Sequence, residues 1–442
     1  MSVQKDRPSI LVFFTDQQRW DSVSCYGSPM GLTPNLDRMA ADGVRFEYAF
    51  TCQPVCGPAR ACLQTGKYAA ANGVFRNHIP LPHNQPLLAR CFSQAGYEVG
   101  YIGKFHLSSV RTDPVPRAER AGYDGFWEAA DTLEFTSHPY EGHIFDADDT
   151  PIGFKGQYRA DFLTDRAIRF LTMQREAPFF LFLSYIEPHH QNDMKRYVAP
   201  DGYAERYANP WVPPDLCDKP GDWYRELPDY YGCIARLDEC LGRVLEALRS
   251  SGQLEHTVVV FTSDHGSHFR TRNSEYKRSC HEASIRIPMV IRGPTLDSGK
   301  VIHALVSLID LPPTLLDIAG IEAPNTFVGR STVPLVNGHA ENWPEEVFVQ
   351  ISEAEVGRAI RTRRWKYSVY APDKHPGQDP GSDTYVERYL YDLCADPYES
   401  VNLIGRGGYY REVADDLMAR LKRRMVEAGE QEPVIHRARY YA

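Results

Sequence analysis

Five short runs of β-branched and aromatic residues decide what this chain can fold into: "SILVFF" (9 to 14), "YEVGYI" (97 to 102), "PFFLFLSY" (178 to 185), "TVVVFT" (257 to 262) and "IPMVI" (287 to 291). Each has strand length, and each is apolar almost throughout instead of alternating, as in strands covered on both faces. Amphipathic helical segments lie between them, such as "TPNLDRMAADG", with Thr33 as N-cap, Pro34 at the first helical position and Gly43 as stop. The alternation predicts an α/β fold with a mostly parallel sheet sandwiched by helices over residues 1–345. From about residue 346 the pattern changes to "EVFVQISEAEVGRAIRTRRWKYSVYAP", which reads as antiparallel strands. The turn-rich "LYDLCADPYESVNL" and a helix near 411 to 427 complete a small C-terminal α+β domain over 346–442. With 442 residues, the chain has ample surface to bury in both.

The residues that follow the strands are the first sign of chemistry. Thr15, Asp16 and Gln17 follow the first strand, and Lys104 and His106 the second. Glu187, Pro188, His189 and His190 follow the third, and Asp264 and His265 the fourth. Open α/β sheets build their sites at the carboxyl ends of strands, so four such coincidences predict one site. The formal charge of −9 argues against nucleic acid, which needs a basic footprint. An anionic substrate must be drawn in by local cations instead. The opening "MSVQKDRPSILVFF" has too short an apolar run for a signal core, and "APFFLFLSYI" cannot span a bilayer. The expectation is a soluble, cytoplasmic protein without a membrane partner; a homo-oligomer is left open. Its ten cysteines are then reduced thiols and not a disulfide framework.

Three of those cysteines fall in "TCQPVCGPARACLQTG", residues 51 to 66. A zinc knuckle would need a second ligand pair downstream of Cys52 and Cys56, and the sequence has none at matching spacing. The stretch reads instead as a helix, with Pro58 in the first turn and Gly66 as terminator. Cys56 then sits at the positive helix N-terminus, where an anion is favoured, with Arg60 on the same face. "CGPARACLQTG" resembles the C-x-P-x-R signature of type I sulfatases, members of the alkaline phosphatase superfamily whose cysteine is oxidised to formylglycine. Cys56 fits through Pro58 and Arg60, whereas Cys52 has Cys56 where arginine is required, and Cys62 reads as a packed helix residue. The resemblance runs along nearly the whole chain: "ILVFFTDQQRWD", "GKFHLS", "EPHHQ", "FTSDHG", "EYKRSCHEASIRIP" and "LYDLCADPYESVNL" are similar to further family segments, in order.

The resemblance implies an arylsulfatase-like sulfuric ester hydrolase acting on a small sulfate monoester of an aryl alcohol or a sugar. A formylglycine-generating enzyme would convert Cys56, and one hydroxyl of the hydrated aldehyde would attack sulfur while the other later expels sulfate. Asp16, Gln17, Asp264 and His265, with residue 56, would hold one divalent cation. Gln17 stands where many relatives have a second aspartate and His265 where many have asparagine, so calcium is favoured by family and manganese or magnesium stays open. Arg60 and Lys104 would neutralise the nucleophile, His106 would be the base, and Lys277 and His189 would meet the substrate, with His189 as acid and His190 as its rival. Asn77 is a candidate for a substrate oxygen. "HFRTRN" holds His268, Arg270 and Arg272, read either as a solvated loop or as two arginines for a second anionic group. The nearest alternative is a phosphonate monoester or phosphodiester hydrolase of the same superfamily. Lys104 and His106 in "GKFHL" favour the sulfatase, because the alternative carries tyrosine and threonines there. A non-catalytic anion-binding protein is the third reading, and the intact set of candidate residues argues against it.

Overall fold

The computed structural model describes residues 7–438 apart from 295, 297 and 298; the polar lead over 1 to 6 lies outside them. The first strand, Ser9–Thr15, is the centre of a twelve-stranded sheet. It pairs in parallel with Phe179–Ser184 on one side and Thr257–Ser263 on the other. Glu98–Lys104 and Phe126–Ala130 extend the parallel run beyond Phe179–Ser184. Side chains along a strand alternate between faces, so a strand apolar throughout needs cover on both. Ile10, Val12 and Phe14 pack with Ala59, Leu63, Leu88 and Phe92. Leu11 and Phe13 pack on the other face with Leu163 and Phe170, and with Leu237, Leu241, Val244 and Leu248 of the long helix Trp223–Ser250. The α/β sandwich is therefore present, parallel at its centre, with antiparallel pairs toward both edges and one further parallel pair, Lys300–Ser307 with Val44–Phe50.

Two local expectations are corrected. "IPMVI" is two short strands, Arg286–Ile287 and Met289–Arg292, because Pro288 has no N–H to give a ladder. Both run antiparallel to their neighbours. Thr33 precedes the helix Pro34–Ala41, but its hydroxyl accepts the Ser24 N–H and does not cap. Asp238 of the long helix takes the Asn35 and Leu36 N–H groups at 2.9 and 2.8 Å instead. Gly43 follows where a Cβ would stand 2.4 Å from the Ile291 carbonyl oxygen, so the residue that ends the helix also lets two strands meet.

A second sheet begins at Glu346. Strands Glu346–Ile351, Gly357–Thr362, Trp365–Tyr370 and Thr384–Asp392 are antiparallel, and Val434–His436 adds a parallel edge. The helix Tyr409–Glu427 lays Leu417, Leu421 and Met425 against Phe348, Ile360 and Val369. This sheet is stitched to the Cys56 segment: Gln350 N–H donates to the Cys52 carbonyl at 2.9 Å, and the Gln53 amide donates to Ser352 Oγ at 2.7 Å. No helix among the described residues is long and apolar enough to cross a membrane.

Candidate active site

Asp16, at the carboxyl end of the central strand, and Asp264 and His265, at the end of its neighbour, are fully buried. Gln17 adopts a left-handed backbone, φ 70°, which brings its N–H to Asp264 Oδ1 at 3.0 Å and locks the two strand ends together. The helix Cys56–Thr65 points its N-terminus at this corner and ends on Gly66 in the left-handed conformation, φ 61°. Cys56 Sγ lies 3.4 Å from Asp16 Oδ1 and 3.2 Å from His265 Nε2. The ligand atoms of Asp16, Cys56, Asp264 and His265 fall within 4.8 Å of one another. Asp264 Oδ2 is buried without a hydrogen bond, facing Arg60 at 3.5 Å, and burial together with Asp16 pushes the Asp264 carboxyl up to about 7. A divalent cation would relieve both defects. Gln17 turns its amide nitrogen to Tyr197 and keeps its oxygen 3.4 Å from Lys277 Nζ.

Cations surround this acidic corner. Arg60 reaches Asp16 Oδ2 at 3.0 Å and is fixed by Ser184 Oγ and the Lys104 carbonyl. Lys104 Nζ sits between Asp16 Oδ2 at 2.9 Å and Glu134 at 3.3 Å, fully buried. Lys277 Nζ is 2.9 Å from Cys56 Sγ and 3.1 Å from His189 Nε2. Burial alone would raise the Cys56 thiol, but Lys277, Lys104 and His265 hold it well below its ordinary value. Burial also opposes the Asp16 charge, and Lys104, His189 and Lys277 bring that carboxyl below the usual range. Such groups are costly to bury unpaired, and each here has a partner of opposite sign.

A cavity of about 140 Å³ opens above Cys56. His106 lines it with both ring nitrogens unpaired and buried. His189 lines it too, and its Nδ1 lies 2.6 Å from the His190 carbonyl, so Nε2 is the nitrogen facing Lys277 and the cavity. The His190 ring packs against Tyr276 at 4.5 Å and edge-on to Tyr197, with Nε2 buried and unpaired. Burial, and then Lys277, lowers His189; burial, and then His189, lowers His190 to about 4. Asn77 stands on the wall with its carbonyl accepting the Gly57 N–H at 2.9 Å. A larger groove of about 710 Å³ between the helices Pro34–Ala41 and Trp223–Ser250 holds no comparable convergence of ligand atoms, so size does not locate the chemistry.

Arg270 and Arg272 lie outside the cavity lining. Arg272 is committed to the carbonyls of Tyr398 and Glu399, both at 2.9 Å, and Arg270 lies over the Tyr276 ring and 3.5 Å from Asp222. Of "HFRTRN", His268 departs from the reading as a solvated loop, because it is fully buried with Nε2 on the Lys277 carbonyl at 3.0 Å, whereas Arg270 is exposed. Cys62 packs with Cys52, Ala69 and Ile309, as a helix core residue does. Sequence reading missed Glu134, the second partner of Lys104. The strand before it, Phe126–Ala130, is only five residues long and contains Glu128, so its apolar signal was weak. It also missed Tyr276, Arg278 and Phe135 on the cavity wall, which sit in loops or a single helical turn without a periodic signal.

Comparison with known proteins agrees with this geometry. The sulfatase family model matches residues 8–321, and the model of the N-sulphoglucosamine sulphohydrolase C-terminal region matches 274–428, which crosses the boundary expected at 345. An ulvan-active sulfatase of Formosa agariphila is 29% identical, over 96% of this chain and 82% of its own. An N-acetylglucosamine-6-O-sulfatase of Bacteroides thetaiotaomicron is 26% identical, over 97% and 88%. The solved structure of sulfatase yidJ from Bacteroides fragilis superposes with a TM-score of 0.84 at 25% identity, covering 97% of this chain and 98% of that one. The chain belongs to the sulfatase family of the alkaline phosphatase superfamily, and it is a sulfuric ester hydrolase.

Proposed function

We propose that the chain cleaves a compact sulfate monoester of a mono- or oligosaccharide, using formylglycine at position 56 and one divalent cation. The observation that carries this reading is the line from His189 Nε2 through Lys277 Nζ to Cys56 Sγ, directly above the Asp16, Asp264 and His265 cluster. Cys56 Sγ stands in for the formylglycine oxygens. Hydrated formylglycine would supply one hydroxyl to attack sulfur and a second to expel the sulfate. The cation, held by Asp16, Asp264, His265 and the Gln17 oxygen, would supply Lewis acidity to the nucleophile and to a sulfate oxygen. Calcium is the ion carried over from the family resemblance, and manganese is the alternative that a single imidazole among oxygens favours.

The chain's own side chains account for the remaining steps. Arg60 and Lys104, each braced from behind, offset negative charge at residue 56 without moving when it develops. His106, with free ring nitrogens, takes the proton whose loss starts sulfate elimination. Lys277 faces the sulfate oxygens, and His189 gives the leaving alcohol its proton. His189 is depressed by burial and by Lys277, and an incoming sulfate anion offsets the Lys277 charge. His190 is packed between two tyrosines, which supports His189 as the acid.

The cavity is close in size to the ~150 Å³ that holds one benzene, so sulfate and part of one ring fill it. Asn192, His78 and Glu275 around the mouth offer hydrogen bonds, against one exposed aromatic, Phe135. That balance supports a hydroxylated ring over an aryl ester. All ten cysteines are unpaired, two of them exposed, which supports a reducing, cytoplasmic setting. The test is side-by-side kinetics on an aryl sulfate, several sugar monosulfates and a phosphonate monoester. The highest kcat/KM should fall on a sugar sulfate; an aryl sulfate or phosphonate well above every sugar would overturn the substrate assignment.

A further inference from the structure

The C-terminal sheet braces the wall of the cavity from behind, through one side chain that contacts the lining residues Asn77 and Arg278. Glu353 lies in the turn between the strands Glu346–Ile351 and Gly357–Thr362, in a left-handed backbone with φ 64°. That conformation is disfavoured for glutamate and persists only where its surroundings impose it. Here the Glu353 N–H donates to the Pro376 carbonyl at 3.0 Å, and its neighbour Ser352 accepts from Gln53. The carboxylate is thereby aimed at the catalytic unit. Oε1 accepts the Asn77 N–H at 2.6 Å, and Oε2 pairs with Arg278 at 2.5 Å.

Each contact leads one residue on to residue 56. Asn77 in turn accepts the N–H of Gly57, the amide adjoining Cys56. Arg278, itself in a left-handed backbone with φ 71°, adjoins Lys277, whose Nζ lies 2.9 Å from Cys56 Sγ. Arg278 also pairs with Glu275 at the cavity mouth, 3.0 Å away. One carboxylate from a separate sheet thus holds both the start of the signature helix and the segment that delivers Lys277. We propose that Glu353 is a positioning residue for sulfate ester hydrolysis, fixing Gly57 through Asn77 and Lys277 through Arg278. The C-terminal unit is then part of the catalytic apparatus.

This inference rests on the roles given above to residue 56 and Lys277, so the wild-type enzyme is assayed first. Absence of sulfate ester turnover in wild-type protein carrying formylglycine and metal would sink that reading. An active wild type lets the variants judge Glu353 alone. Displacing a reacting group by about 1 Å costs on the order of 100-fold, so Glu353→Ala should lower kcat about that much per formylglycine-containing, metal-loaded site. Glu353→Gln keeps an acceptor for Asn77 and loses the charge for Arg278, so its loss should be smaller, about tenfold. A merely structural role would reduce the folded fraction and the melting temperature while leaving kcat per loaded site untouched. If Glu353→Ala fails to fold, Glu353→Gln decides alone. Paired with Arg278→Ala, it should be clearly non-additive in kcat/KM. Wild-type kcat and KM per loaded site in the glutamine variant, or full additivity with Arg278→Ala, would overturn the proposal.

Discussion

The floor and the rim of the cavity are built on opposite principles. The floor, formed by Asp16, Asp264, His265, Cys56 and Arg60, stands on the ends of central strands and the first turns of one helix, all buried. The rim, formed by Asn77, Phe135, Asn192, Glu275, Tyr276 and Arg278, stands on loops and one short turn, half of it open to solvent. Backbone hydrogen bonds of the sheet hold the floor, whereas side-chain contacts such as Glu353 with Arg278 hold the rim. Chemistry that needs sub-ångström placement therefore sits where the fold is least deformable, and recognition sits where substitution is cheapest. If this division is right, replacements on the floor should cost orders of magnitude in turnover, and replacements at the outer rim should cost little.

The largest effect belongs to Cys56. Cys56→Ala should lower turnover by at least about 10⁴-fold, since it removes the nucleophile on which the other groups act. Its melting temperature should stay near wild type, because the helix packs through Ala59, Ala61 and Leu63. Peptide mass mapping should find formylglycine at 56 and unmodified thiols at Cys52 and Cys62. Three unmodified thiols in fully active enzyme would remove position 56 from the mechanism.

The same division explains how much could be read from sequence. Asp16, Lys104, His189 and Asp264 each follow an apolar run whose strand character is unmistakable, so the sheet rule placed all four at one edge. Arg60 followed from the helical spacing to Cys56. Glu134 lies equally deep, yet it follows a strand too short and too polar to announce itself. Glu353 could not be found at all: its partners Asn77 and Arg278 are 276 and 75 residues away, and its direction depends on a left-handed turn that no local pattern marks. Arg272 shows the converse error. A basic loop invites an anion, and only the three-dimensional contacts show its guanidinium committed to two backbone carbonyls.

Next in size is Asp264. Its Oδ2 lacks a hydrogen bond and faces Arg60 at 3.5 Å, while the nearby Asp16 charge raises the carboxyl, an arrangement that a cation relieves. Asp264→Asn should weaken metal retention by more than about 100-fold, seen as metal lost on gel filtration into chelator-treated buffer. Chelation of the wild type should abolish turnover, and readdition of calcium or manganese should restore it. Full activity in protein shown by elemental analysis to be metal-free would refute the floor as drawn.

Glu134 sharpens the comparison from the stability side. Burial alone would raise its pKa, but Lys104, His189 and His106 hold it down to about 2. Its folded value is thus below the ordinary 4.5, so its stabilisation is complete above pH 4.5 and is lost as the pH falls toward 2. The amount at stake is on the order of 3 kcal/mol. Denaturant midpoints measured between pH 5.5 and 3 should fall steeply for wild type and less steeply for Glu134→Gln. Parallel curves would show that the Lys104 pair contributes nothing specific to the floor.

The smallest effect is expected at Arg270, and it tests the outer edge of the rim. The side chain is 45% exposed and stands outside the cavity lining. Its contacts are Asp222 at 3.5 Å and the Tyr276 ring, with the guanidinium carbon 4.7 Å from the ring centroid. Tyr276 does not depend on it, because the tyrosine hydroxyl donates to Asp222 at 2.6 Å and the ring packs on His190. Exposed pairs and cation–π contacts of this kind contribute roughly 0.5 kcal/mol, so Arg270→Ala should change kcat/KM for a sugar monosulfate by about twofold at most. A substrate with a carboxylate or second sulfate gives the sharper comparison. If Arg270 meets that group, the variant should lose tenfold or more on the doubly charged substrate alone, and the rim would have to extend past Tyr276. Equal, small losses on both substrates would keep Arg270 outside the site and leave selectivity to the residues that line the cavity.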